Sequence, residues 1–360
     1  MVERPDMSHA ARLRSYGDVS TTLALYGDSR LRRLVDAAVP IGSGIGGVSA
    51  LMDVAGVPVF VKRVRLTDLE TRPENIRSTA NLFGLPTICQ YGIGGPNFGA
   101  WRELAVHTMT TDWVVSGRFS GFPLMYHWRV LPDVARPLHE ELADVEKVVA
   151  YWGDAPEVRD RIEALRESSA SLVLFLEYIP RNLHDWLGEQ VSAGGETAER
   201  ACSLVEDELA AGVSFMNARG LLHFDAHFEN ILTDGRHLYF ADFGLAISTR
   251  FDLSPEELDF FDRHRVYDRC YTSTYLVHWL TVALYGNDRE DTRARIRAWA
   301  AGEPPTGLPG ALAEILTRHS PLADVLADFY SRLQTEDRNT PYPLTEIRRV
   351  AALHGLSLEA

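Results

Sequence analysis

Three histidines, three aspartates and an asparagine fall within one stretch, GLLHFDAHFENILTDGRHLYFADFGLA, from Gly220 to Ala246. Asp-Gly at 234–235 lies between two β-prone runs, which predicts a hairpin. With a two-residue turn, Thr233 faces Arg236, Asn230 lies opposite Tyr239, and Asp242 comes level with His227. Asp225, Asn230 and Asp242 then become neighbours. A carboxylate and a carboxamide converging on one point are hard oxygen ligands suited to Mg2+. Asp225 beside them is placed to accept a hydroxyl proton, so the chemistry indicated is phosphoryl transfer. Two other readings stand beside it. His223, Asp225 and His227 alternate and could ligate a transition metal from one strand face, which leaves Asn230 and Asp242 without a role. The residues also suit an ordinary turn.

The elements that must position these groups follow from the rest of the chain. At 360 residues it is long enough for two domains or lobes, and 46% hydrophobic with 24% charged residues is the make-up of a globular protein. Residues 1–34 read as a polar, partly helical arm. From Val39, VPIGSGIGGVSALMDVAGVPVFVKRV has β-rich ends, a glycine cluster and a hairpin turn at AGVP. Residues 66–100 read as an irregular insertion, AWRELAVHTMTTDWV as a helix and PLMYHWRVL as a strand. Leu138, Leu142, Val145 and Val149, then Val158, Ile162 and Leu165, recur at helical spacing and predict a helical insertion over 137–170. SLVLFLEYI reads as a buried strand, and a long helix with Val205, Leu209, Val213 and Met216 on one face stops at Gly220. The remainder is mainly helical. A β-rich half thus precedes a helical half, an α+β organisation.

Composition narrows the function. A net charge of −14 argues against a nucleic-acid-binding protein. It also means that an anionic substrate needs local positive charge, most simply a metal ion. No apolar run reaches about 18 residues, so no membrane span is expected. The start, MVERPDMSHAARLRSYGD, lacks a signal-peptide core, which points to the cytoplasm. Cys89, Cys202 and Cys270 share no ligand spacing, which argues against a disulfide framework or structural zinc. Of the 36 basic residues only Lys62 and Lys147 are lysines.

The ordered motifs resemble the protein-kinase-like superfamily, which includes eukaryotic-type protein kinases and the aminoglycoside phosphotransferases. HFDAHFEN (223–230) resembles the catalytic loop, and DFG (242–244) the magnesium-binding triplet. GSGIGG supplies Gly42, Gly44 and Gly47 in the spacing of the loop that covers ATP phosphates, and VFVK then places Lys62 on a strand. The resemblance implies a bilobal fold, with an N-lobe over 35–178 carrying both insertions and a C-lobe over 179–360. It implies ATP between the lobes, its phosphates under the glycines and held by Lys62. Asp225 is the implied base, and Asn230 and Asp242 the implied magnesium ligands. Glu103 is the implied partner of Lys62, ahead of Glu70 and Glu74. FLEYIP resembles the inter-lobe strand, where backbone groups of Glu177 and Ile179 meet adenine, Leu176 lines the pocket, and Asp185 either reaches the ribose or starts a helix.

Departures from the protein-kinase pattern bear on the acceptor. Phe224 stands where many regulated protein kinases carry arginine, and no APE triplet follows the DFG. His227, two residues after the base, is common in small-molecule kinases and can donate to the γ-phosphate. A small-molecule hydroxyl, of an antibiotic or metabolite, is therefore the expected acceptor. The alternatives are an atypical serine/threonine protein kinase and, less expected, a pseudokinase scaffold.

Overall fold

A computed structural model describes residues 7–92, 94–134 and 136–358; the first six residues of the expected arm lie outside the described residues. The chain is α+β and divides into two compact units. One runs to Pro180 and takes in Ala241–Ala246 and Phe251–Ser254; the other comprises Arg181–Phe240, Ile247–Arg250 and the chain from Pro255.

The first unit is built on a five-stranded antiparallel sheet of β1 (Val39–Gly44), β2 (Gly47–Val54), β3 (Val57–Leu66), β4 (Met125–Pro132) and β5 (Ala170–Glu177), in the order β1-β2-β3-β5-β4. Ala55 and Gly56 join β2 to β3 with both φ angles positive (56° and 81°), the geometry that matches strand twist in a two-residue hairpin. The helix at Ala100–Val115 lays Ala100, Trp101 and Leu104 against Val64 and Leu66 of β3 and Leu172, Leu174 and Leu176 of β5.

The expected polar, partly helical arm forms two helices, α1 (His9–Ala24) and α2 (Asp28–Ala37), and belongs to this unit, with Val19, Leu23 and Leu31 fully buried. Arg12 fixes α1. Its Nε and Nη2 meet the two carboxylate oxygens of Glu177 at 2.9 and 2.7 Å, and its Nη1 and Nη2 also donate to the carbonyls of Ser120 and Phe122. A buried guanidinium is tolerable because each of its three nitrogens has a partner. With a buried arginine, Arg12, on the same face as Val19 and Leu23, the apolar stripe of α1 is short and its burial is hard to read in the sequence.

With the Ala100–Val115 helix as α3, the two insertions fold onto each other. Between Leu66 and Ala100 the described residues form 3-10 turns at Pro73–Asn75 and Thr87–Tyr91, while 137–170 form α4 (Glu140–Ala143), α5 (Val145–Tyr151) and α6 (Pro156–Glu167). Leu85, Cys89 and Phe98 from the first pack with Leu142, Val149, Trp152, Val158 and Ile162 from the second, making a second core. Glu70 joins them. Its Oε2 accepts from Arg161 Nη1 at 2.7 Å and from the Thr67 amide and hydroxyl, and its Oε1 accepts from the Ala100 amide at the start of α3. Burial would raise the Glu70 pKa, but Arg161 and Thr67 outweigh it and hold the carboxyl below its ordinary value. Arg161→Met is expected to destabilise by about 3–5 kcal/mol, because it strands a buried carboxylate. Arg161→Met with Glu70→Leu should recover much of that loss in urea unfolding. Since the folded pKa of Glu70 is depressed, its contribution is present above its ordinary value of 4.5 and is lost as pH falls through the folded value.

The second unit is mainly helical: α7 (Leu183–Ala193), α8 (Gly195–Asn217), α9 (Pro255–Arg263), α10 (Tyr267–Tyr285), α11 (Arg289–Ala300), α12 (Gly310–Thr335) and α13 (Leu344–Leu353). Val205, Leu209, Val213 and Met216 of α8 are buried as their spacing predicts. Short strands complete it: β6 (Arg181–Asn182) pairs with β8 (Ile231–Thr233) and β8 with β9 (Leu238–Phe240), while β7 (Leu221–Leu222) pairs with β10 (Ile247–Ser248). No helix among the described residues is long and apolar enough to cross a membrane.

The β8–β9 hairpin differs from the expected two-residue turn. Thr233 pairs with Leu238 and Leu232 with Tyr239, so the connection is four residues, Asp234–His237. Asp234 Oδ1 accepts the amides of Arg236 and His237, both at 2.8 Å, and Thr233 Oγ accepts that of Gly235. These side-chain bonds satisfy the loop amides and favour the longer connection over the tight turn. The pairing is displaced by two residues, so Leu232 rather than Asn230 faces Tyr239. A two-residue slip leaves each side chain on its original face.

Candidate functional site

The first unit gathers Lys62, Glu103 and Asp242. Lys62 lies on β3, Glu103 in the first turn of α3 and Asp242 in the segment after β9. Lys62 Nζ sits 2.7 Å from Glu103 Oε1 and 2.9 Å from Asp242 Oδ1. Lys62 and Glu103 are buried; the Asp242 side chain is 39% exposed. Burial alone would lower the lysine pKa, but the carboxylates of Asp242 and Glu103 outweigh it and hold Lys62 charged, above its ordinary value. Burial pushes Glu103 up to about 7, against the opposing pull of Lys62. Asp242 adopts φ +56°, unusual for a non-glycine residue. The next residue, Phe243, is buried edge-on to His107 of α3 at 5.0 Å between ring centres and anchors the segment.

The glycine cluster forms the β1–β2 hairpin, with Ile45 and Gly46 at the turn and Gly44 paired with Gly47. The glycines of the sequence motif have unequal structural needs. A Cβ on Gly47, at φ +135°, would stand 2.2 Å from the Arg63 carbonyl oxygen, whereas Gly42 and Gly44 face open space. Gly46, which the G-x-G-x-x-G spacing passes over, is the one nearest the charged cluster. Its Cβ would lie 3.3 Å from Lys62 Nζ and 3.8 Å from Asp242 Oδ2. Only a folded hairpin reveals that approach.

Glu177 ends β5, and Ile179 lies two residues beyond it. The Glu177 amide donates to the Leu124 carbonyl at 2.8 Å, and its carboxylate is engaged by Arg12 and the Leu124 amide, so the side chain has a structural task. Ile179 is buried in the same unit.

The second unit gathers Asp225, His227 and Asn230. Asn230 Nδ2 donates to Asp225 Oδ2 at 2.9 Å and to the Asp225 carbonyl at 3.0 Å, which turns the amide oxygen of Asn230 outward from that pair. His227 Nε2 lies 3.8 Å from Asp225 Oδ1, and its Nδ1 accepts from the Glu229 amide. Residues 223–230 are loop and turn, so His223, Asp225 and His227 do not alternate along a strand. His223 is fully buried and its Nδ1 accepts from the Asp225 amide. No group of three or more His, Cys, Asp or Glu side chains among the described residues is arranged to hold a metal ion. Asp185 lies in the first turn of α7, where Asn182 caps its amide.

Sequence reasoning missed Asp268. Buried in α10, it accepts from the His223 amide at 2.7 Å and the Phe224 amide at 2.9 Å. Phe224 adopts φ +64° and stacks on Tyr267 at 4.3 Å. Asp268 therefore positions the loop ahead of Asp225 by holding two backbone donors where a bulky residue is held in an uncommon conformation. Burial pushes its pKa up to about 6, although both amides oppose the rise. Asp268→Ala leaves two buried amides without acceptors at about 1–3 kcal/mol each. We expect a loss of about 2–5 kcal/mol in urea unfolding, together with faster hydrogen exchange at residues 223–225. A lone aspartate in an aromatic helix carries no local signal of that task.

Neither a scan against protein-family models nor a search of curated proteins returns a match for this chain.

Proposed function

We propose that the chain is an ATP- and Mg2+-dependent kinase with a bilobal protein-kinase-like fold, transferring the γ-phosphoryl group to a hydroxyl of a small molecule. The observation that carries this reading is the position of Lys62 Nζ between the Glu103 and Asp242 carboxylates, directly beneath Gly46. A cation locked in place beside a backbone hairpin suits phosphate oxygens, and a compact ammonium fits there better than a guanidinium fork. Lys62, Glu103 and Asp242 together carry a net negative charge, so binding a polyphosphate calls for a divalent cation. Asp242 and Asn230 offer hard oxygen donors of the kind Mg2+ takes, and Mg2+ draws most of its remaining ligands from phosphates and water. When bound, the ion would neutralise charge on the phosphates.

In this reading Lys62 grips the phosphates, and Gly46 and Gly47 let the hairpin backbone lie close over them. Asp225, held by Asn230, orients the acceptor hydroxyl and takes its proton. His227 donates to the transferring group as charge develops on it. Positioning supplies most of the acceleration, as phosphoryl transfer allows.

Two observations favour a small acceptor. Phe224 is buried in an aromatic stack and offers no cation to a phosphorylated segment. A cavity of about 320 Å³ in the second unit is lined by Tyr271, Tyr275, His278 and Tyr330, and Tyr275 also packs on His227 and Phe228 of the Asp225 loop. The test is an ATP-consumption screen against hydroxylated metabolites, aminoglycosides and nucleosides, beside generic protein acceptors. Turnover with a small alcohol is expected. Turnover with proteins alone would replace the acceptor assignment, and absence of ATP binding would remove the kinase reading.

A further inference from the structure

The glycine hairpin has a second neighbour. Within the first unit a cavity of about 270 Å³ is walled by Gly44, Gly46 and Gly47 on one side, and by Arg63, Arg65, Asp133 and Arg136 on another. Three guanidinium groups thus meet a single carboxylate in the lining of a protein whose net charge is −14.

That carboxylate is already committed. Asp133 Oδ1 accepts from Arg63 Nη2 at 2.8 Å, from Arg136 Nη2 at 3.1 Å and from the Val134 amide, while its Oδ2 accepts from Ser171 Oγ. Arg63 has a further partner, Asp36, outside the lining, yet its Nε is buried without a hydrogen-bond partner. Arg65 forms no ion pair with any carboxylate among the described residues. Its hydrogen bonds end on the carbonyls of Leu165, Arg136 and Pro137, so its position is fixed, and Asp133 acts on it only through space while already bonded to Arg63 and Arg136. Fixed guanidinium forks around a small concave space match the several oxygens of a tetrahedral dianion.

We propose that this cavity binds the phosphate group of a small anionic ligand. The inference goes beyond phosphoryl transfer at Lys62 and does not depend on it. A ligand seated here would touch the wall of the hairpin whose turn lies over Lys62.

Titration calorimetry on the full chain, with inorganic phosphate and with glycerol 3-phosphate, tests this. One site per chain is expected. Arg65→Gln or Arg136→Gln should weaken binding about tenfold or more, the loss of a charge-assisted hydrogen bond. Lys62→Met should leave it unchanged, and hydrogen exchange at residues 43–48 should slow when the anion is bound. Tighter binding of one probe identifies free phosphate or a phosphomonoester as the source. The proposal is overturned by absence of binding, by binding indifferent to Arg136→Gln, by loss in Lys62→Met, or by equal affinity for succinate. Arg136 is partly exposed, and Asp133 keeps its other partners without it, so that variant decides the matter even if Arg65→Gln does not fold.

Discussion

Asp225→Asn is expected to lower kcat by about 10²–10⁴-fold, the usual contribution of a positioned proton acceptor, while leaving the nucleotide Kd within about twofold of the parent. The carboxamide preserves shape and can still accept from Asn230 Nδ2, which lies 2.9 Å from Asp225 Oδ2. It cannot take the hydroxyl proton. A loss confined to kcat therefore separates proton acceptance from binding. Single-turnover kinetics with the best small alcohol, beside nucleotide titration, reads both. Equal turnover in the variant and the parent would remove Asp225 from the chemistry. A protein that keeps its biological role after this substitution would be acting as a scaffold.

Lys62→Met is the second large effect. It removes the cation between Glu103 and Asp242, leaving two carboxylates that share no counter-charge. Turnover should fall by about 10²–10³-fold, the loss expected on removing one donor that stabilises transition-state charge. Nucleotide affinity should fall with it, in contrast to Asp225→Asn. Glu103 adds a pH signature. Its folded pKa, pushed to about 7 mainly by burial, lies above its ordinary 4.5. The proton is held more tightly in the folded state, so this contribution is full below about pH 4.5 and is lost as pH rises through 7. Urea unfolding between pH 5 and 8 should show that decline, up to about 3 kcal/mol for the single group. Glu103→Gln should flatten it. An unchanged slope in Glu103→Gln would assign the titration elsewhere, with Asp268 the next group to replace.

Several features were legible in the sequence because they are local. The strand–turn–strand pattern around AGVP, the 3.6-residue spacing on α8 and the helical spacing in 137–170 each reflect burial of a repeating face, which periodicity records. The order of glycines, Lys62, HFDAHFEN and DFG is likewise written in the chain, whereas the half expected to be β-rich carries its five-stranded sheet together with the helices α1 to α6. The hairpin failed in a specific way. Asp-Gly announces a turn, but Asp234 captured two amides and Thr233 a third, so the connection closed two residues later than the dipeptide suggests.

Which chemical groups the chain possesses, and in what order, was fixed by its residues alone. Tertiary structure decided which of them touch: Glu103 on Lys62 across 41 positions, Asp268 on the His223 and Phe224 amides, Arg12 on Glu177, Arg161 on Glu70, and Gly46 against the lysine. Each of these is a single long-range polar contact or close approach, specified by direction and desolvation rather than by a repeating apolar face. Such contacts leave no periodic trace, because their partners come from distant segments that only the assembled core brings within hydrogen-bond reach.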